Sequence, residues 1–297
     1  MEFRLLSPEV TVSSRAEDYE VGEEENLELP SSPLFEPVAE SGVDFLNTTF
    51  DIVVVGVYGA GSQFIRGAFV ERKDELGLIN VASIRSQDEA HHQKKLKRSK
   101  EEIVDHLYLY SNHGMKILII DSGSVIEQRH NAQYNTVKEN HQQAYTTYLY
   151  AQLLVETIKA KRFVILDSIL ASSYIVSDRR LLHTPLLRCI RSESDKQLYK
   201  SISLPPYLES PNLITGLAAS IFSLLENRGQ PAILLCSLEE NHALEQVTMK
   251  AFEPSVFGLL VPSDQSSDSI PVSPLSPSSA LKYKTLKASV EHQSLYL

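Results

Sequence analysis

Apolar and polar residues follow no regular order for almost fifty positions, and then a pattern sets in. Residues 51–57, Asp-Ile-Val-Val-Val-Gly-Val, form a β-branched run of the kind a strand shows when both its faces are covered. Helical spacing follows over 62–76, with Phe64, Ala68 and Phe69 on one side, and a second strand is predicted over 78–84. Strand-like runs at 103–110 and 116–120 flank Ser-Asn-His-Gly, which is turn chemistry and predicts a hairpin. The clearest helix spans 136–160, where Ala144, Tyr148, Ala151, Val155 and Ile158 recur at three- and four-residue spacing. Another core strand is predicted over 162–168. An irregular stretch with several prolines covers 178–211, after which Asn212 can cap a helix through about 227, ended by Gly229. Pro231 leads a last core strand, and a helix is expected over 241–252, before Pro254.

Strands and helices alternating around one sheet predict a single α/β domain over residues 48–261, with a mixed, mostly parallel sheet and helices on both faces. Charge sets the first 47 residues apart. They hold twelve of the 38 acidic residues but only Arg4 and Arg15 of the 28 basic ones, so the net charge of −10 belongs to this head and the rest is neutral. With Pro-Ser-Ser-Pro-Leu-Phe-Glu-Pro inside it, the head is expected to be a disordered acidic tail. Residues 262–297 open on a Ser/Pro-rich stretch and are expected to form a flexible tether. A neutral body with a negative head argues against nucleic acid as the main partner. The longest apolar runs are strand-sized, so no membrane span is expected. Cys189 and Cys236 sit in apolar surroundings and read as core residues of a protein in a reducing compartment, the cytoplasm with the nucleus as a second location.

Signs of chemistry are sparse. Gly56, Gly59 and Gly61 lie between a strand and a helix, where a phosphate cradle would be, but their spacing is not the G-x-G-x-x-G fingerprint and no Gly-Lys-Ser/Thr follows. A tight turn needing backbone freedom accounts for them. Asp121 and Asp167 end strands, where α/β enzymes bind ligands, yet no nucleophile or base is matched to them. The nine histidines show no metal-ligand spacing. No catalytic, cofactor or metal residue is therefore assigned. The enzyme alternative is a nucleotide- or nucleoside-binding α/β protein using the glycine turn at 56–61. A third reading is an adaptor whose terminal peptide enters a PDZ-like groove.

The block 208–255 resembles the proteasome assembly chaperone 1 family. It carries Pro211-Asn212-Leu213, a helix, Pro231 to Leu234 leading a strand, and then Ala251-Phe252-Glu253-Pro254. Similarity in the order of elements extends over some 200 residues of the body. The resemblance implies a chaperone and not an enzyme, paired with proteasome assembly chaperone 2 and bound to the α ring of the 20S core particle. It also implies a hydrophobic–Tyr–any motif, HbYX, docking between α subunits. Here that motif falls on Leu295, Tyr296 and Leu297. The basic loop 91–100 and the acidic head depart from the family pattern and are given no role.

The physics of the tip suits such a contact. A terminal carboxylate can be captured by a lysine or by backbone N–H groups. The tyrosine fills a slot and offers a hydroxyl. Leu295 buries apolar surface that stabilises by ~1.5–3 kcal/mol. The tether's Ser/Pro stretch spans roughly 23 Å, and tethering a weak peptide to a docked body can add ~10²–10⁴ in avidity.

Overall fold

The structure, a computed structural model, describes residues 33–57, 59–85, 104–112, 114–122, 137–176, 186–198, 204–239 and 246–260. Residues 1–32, the basic loop 91–100 and the segment from 261, including Leu295, Tyr296 and Leu297, lie outside the described residues.

The valine-rich run at 51–57 becomes β3 (Ile52–Val57), the middle of an eight-stranded sheet. It pairs in parallel with β6 (Met115–Ser122) on one side and β8 (Phe163–Leu170) on the other, and β8 pairs in parallel with β10 (Ala232–Glu239). The flanks are antiparallel. β5 (Val104–Asn112) forms the predicted hairpin with β6, and beyond it lie β4 (Ile79–Arg85) and the edge strand β1 (Leu34–Pro37). The opposite edge is β9 (Leu187–Arg191), antiparallel to β10. A separate two-stranded parallel ribbon joins β2 (Thr49–Phe50) to β7 (Lys159–Ala160).

Side chains alternate along each central strand, so one run feeds two cores. Val53, Val55 and Val57, with Leu118, Ile120, Ile165 and Leu234, face α3 (Val137–Thr157) and α5 (Gly216–Asn227). Ile52 and Val54, with Ile117, Ile119, Val164 and Leu235, face α1 (Ala60–Ala68), α6 (Gln246–Lys250) and α7 (Glu253–Leu259). Two shorter helices, α2 (Lys73–Leu76) and α4 (Glu193–Leu198), complete the set. The architecture is the expected α/β sheet with helices on both faces.

Several boundaries differ from expectation. The last part of the acidic head belongs to the fold: β1 pairs along β4, Phe35 stacks on Phe45 at 4.9 Å, and Phe45 is buried against Phe50. Charge density masked these apolar anchors. Within the eight-stranded sheet, parallel pairing is confined to β6, β3, β8 and β10, because β1, β4 and β5 on one side and β9 on the other pair antiparallel. The helix predicted over 62–76 breaks after Ala68 into a 3₁₀ turn and α2, which Gly77 ends in the left-handed region at φ 64°. Asn212 does not cap α5; Thr215 precedes its first turn. Pro254 opens α7 instead of ending a helix, since proline's missing N–H is harmless in a first turn.

A buried ion triad fastens β9 and α4 to β8. Arg162 Nε donates to Asp195 Oδ1 at 2.7 Å, and Arg191 Nε donates to Asp195 Oδ2 at 2.6 Å. Asp195 has no exposed surface, so its charge is supported by these guanidiniums, while its backbone N–H donates to the Ser192 Oγ.

Candidate functional site

The glycine turn sits at the carboxyl end of β3, as predicted, but it is already filled. Gly59 has φ 86° and ψ −140°, a conformation that only glycine adopts without strain. A Cβ there would lie 2.4 Å from Ser168 Oγ. A Cβ on Gly61 would lie 2.2 Å from the Leu166 carbonyl oxygen, so this glycine lets α1 press directly on β8. The Ala60 N–H, which would cradle a phosphate, donates to Glu239 Oε1 at 3.0 Å and to Ser168 Oγ at 3.3 Å. The protein's own carboxylate thus takes the helix N-terminus, where its charge is favoured.

The two strand-end aspartates are separated. Asp121 lies on the α1 face, where Ser62 Oγ and Arg66 Nε each donate to its carboxylate at 2.5 Å. It is an anchor for α1. Asp167 follows Ile165 by two residues and so falls on the opposite, α3–α5 face, in register with Cys236. Burial, helped by the nearby charge of Glu239, pushes the Asp167 carboxyl up to about 7. Asp121 and Asp167 therefore do not form an acid–base pair with each other. Among the described residues no three His, Cys, Asp or Glu side chains gather to hold a metal. Cys189 and Cys236 are both buried, and burial raises both thiols, Cys236 the more.

The other notable feature is a surface at the β9 edge that the sequence reading did not anticipate. The segment around Pro205 and Pro206 covers that edge with a pair of backbone hydrogen bonds, Cys189 N–H to Pro206 O and Leu208 N–H to Cys189 O, each 2.9 Å, and the Cys189 thiol donates to Pro205 O at 3.0 Å. Beyond it the loop 208–214 is held firmly. The Asn212 side chain accepts from the Ile175 N–H at 2.6 Å and donates to the carbonyls of Ile175 and Glu209 at 2.9 Å. Glu209 in turn accepts from Arg188 and from the Tyr174 hydroxyl. On this rigid loop Leu213 is 80% exposed, with Ile175 and Tyr207 more than half exposed. A groove of about 460 Å³ opens there, with walls including Cys189, Tyr207, Pro211 and Leu213. The sequence signal for this loop lies in Pro211-Asn212-Leu213, where Asn212 fits a helix cap equally well.

This block, 208–255, is also the one that carries the family resemblance. A protein from Dictyostelium discoideum, proteasome assembly chaperone 1, is 24% identical to this chain over 257 residues, covering 82% of each. The chain is related to proteasome assembly chaperone 1. No protein-family model matches it. PbaB of Pyrococcus furiosus, an archaeal proteasome activator, superposes with a TM-score of 0.53 over 77% of this chain and 89% of its own, at 14% identity. That likeness to PbaB shows the α/β fold. The relationship to proteasome assembly chaperone 1 spans most of the body, well beyond the block that first suggested it.

Proposed function

We propose that this chain is one subunit of a heterodimeric chaperone for assembly of the 20S proteasome core particle. Its partner is proteasome assembly chaperone 2, and the pair binds the outer face of the α ring in the cytoplasm, with the nucleus as a second location. Leu295, Tyr296 and Leu297 enter a pocket between neighbouring α subunits, and the body touches the same ring so that the two contacts reinforce each other. The observation that carries this reading is the similarity to proteasome assembly chaperone 1 along 82% of the chain. The HbYX-like tip behind a Ser/Pro-rich stretch agrees with it.

The role is one of binding, without chemistry of its own. In the rival enzyme reading a nucleotide phosphate would take the Ala60 N–H, but Glu239 holds that group and its carboxylate would repel a phosphate. Affinity purification of the full chain followed by mass spectrometry tests the proposal. Recovery of α subunits together with chaperone 2 is expected. Recovery of chaperone 2 without any α subunit, or of neither, would overturn it.

A further inference from the structure

We propose that the groove at the β9 edge is the resting site of this chain's own C-terminal tip, so that the free chaperone holds its ring-binding residues in reserve. The inference rests on the reading of Leu295, Tyr296 and Leu297 as the ring-binding element. Its first support is the groove itself. Leu213 stands 80% exposed on a loop pinned by Asn212, Glu209 and Tyr174, so its apolar surface is presented rigidly and stays uncovered by the described residues. Leu213 and the exposed Tyr207 line the groove together, and adjoining apolar surface of this kind is what contact sites use. At about 460 Å³ the groove falls within the roughly 300–1,000 Å³ typical of ligand sites.

The second support is the length of chain that remains. After Leu260, 37 residues follow, and their last three are apolar or amphipathic. Leu260 and Phe257 lie in the same core as Cys189, one wall of the groove, while Ile190, another wall, packs on the opposite core, so the groove lies at the sheet edge between the two faces. Phe257 packs on Phe64 of α1, and β9 lies two strands beyond β8, roughly 10–15 Å to the side. A coil of 37 residues spans on the order of 30 Å. The reach is ample, and the local concentration of a tethered tip lies in the millimolar range. Weak apolar contacts are then enough to dock it: Tyr296 against Tyr207 and Pro211, with Leu295 or Leu297 beside Leu213. A ring pocket that also reads the terminal carboxylate outcompetes the groove, and the tip transfers.

Photo-crosslinking of the full chain with Tyr296→benzoylphenylalanine tests this. In the free protein, crosslinks to the 204–215 segment are expected, with a yield independent of protein concentration. Leu213→Ser and, separately, Tyr207→Ser abolish them while thermal melting stays unchanged. If the tip is about 90% docked, removing the groove tightens ring binding by about tenfold. Crosslinks absent from 204–215, crosslinks rising with concentration as between two copies, or crosslinks surviving both variants overturn the inference. Ring binding lost on Tyr296→Ala but unaltered by Leu213→Ser would sink the reserve while leaving the ring-binding reading intact. Ring binding indifferent to Tyr296→Ala would sink the reading beneath it.

Discussion

Glu239 and Ala60 stand 179 positions apart in the chain, yet the Glu239 carboxylate accepts the Ala60 N–H at 3.0 Å. This bond closes the start of α1 onto the end of β10, and it depends on the glycines around it. A methyl group on Gly61 would meet the Leu166 carbonyl oxygen at 2.2 Å, and backbone cannot step aside as a side chain can. Gly61→Ala is therefore expected to lower the unfolding free energy by at least ~1–3 kcal/mol, the usual range for overpacking. Urea unfolding followed by circular dichroism measures it. A change below a few tenths of a kcal/mol would show that α1 does not bear on β8 as described.

Asp195 is expected to be among the most sensitive polar positions. Asp195→Ala leaves Arg162 and Arg191, both nearly buried, without the carboxylate they share. Removing one partner of a buried pair costs about 3–5 kcal/mol. Asp195→Asn keeps the shape and removes the charge, and it should fall between the two. Equal stability of all three proteins in chemical denaturation would contradict the buried triad.

Asp167 gives a pH dependence with a definite sign. Its folded-state carboxyl is raised to about 7, above the ordinary 3.8 of an exposed aspartate. The folded protein therefore binds a proton that the unfolded chain releases between these values, and the stability this contributes is lost as pH rises from about 4 to about 7. Asp167→Asn removes this loss. The variant should be the more stable protein at pH 7.5, by up to about 4 kcal/mol, and the gap should narrow steadily toward pH 5. A gap that stays constant across denaturant titrations at several pH values would mean that Asp167 is not a buried ionisable group.

The boundary of the fold near its start can be tested by truncation. Removing residues 1–32 is expected to leave the melting midpoint almost unchanged. Removing 1–47 strips β1 from β4 and takes away Phe45, which is only 2% exposed. Loss of such an aromatic anchor costs about 3–5 kcal/mol and lowers the midpoint by on the order of 10 °C. It also bares the β4 edge, so aggregation should increase. Two truncations that melt together would return residues 34–47 to the tail.

The contrast between what the sequence disclosed and what it hid has a physical basis. The runs at 51–57, 162–168 and 232–238 were legible because strands buried on both faces need no polar residue, and such runs are rare elsewhere. β9 was hidden because Leu187–Arg191 alternates apolar residues with three basic or thiol side chains inside a Pro-rich stretch, and its place comes from pairing with β10, a long-range event. β1 was hidden by the acids around it. Position and glycine content correctly marked 56–61 as special. That Glu239 fills the site could not be read, because the two elements meet only in the folded sheet. Asn212 looked like a helix cap because asparagine serves equally well as a cap and as a loop staple. Which of these it does depends on Ile175, 37 residues away.

The tip carries the most specific prediction. If Leu295, Tyr296 and Leu297 anchor the chain to an α ring, the contact uses a phenol, an apolar neighbour and a terminal carboxylate together. Deleting the three residues should weaken binding to α-ring intermediates by ~10-fold or more, at least about 1.4 kcal/mol. Tyr296→Ala should reproduce most of that loss. The body should melt as before in both cases, because both cores of the described residues are built from residues up to Leu260. Appending one glycine after Leu297 is the discriminating variant. It keeps every side chain and moves the carboxylate by one residue, about 3.3–3.6 Å. A merely adhesive apolar end would tolerate that change, whereas a pocket that reads the carboxylate would not. Unchanged affinity for all three variants in a quantitative pulldown with folded protein would mean that the ring is held by the body alone.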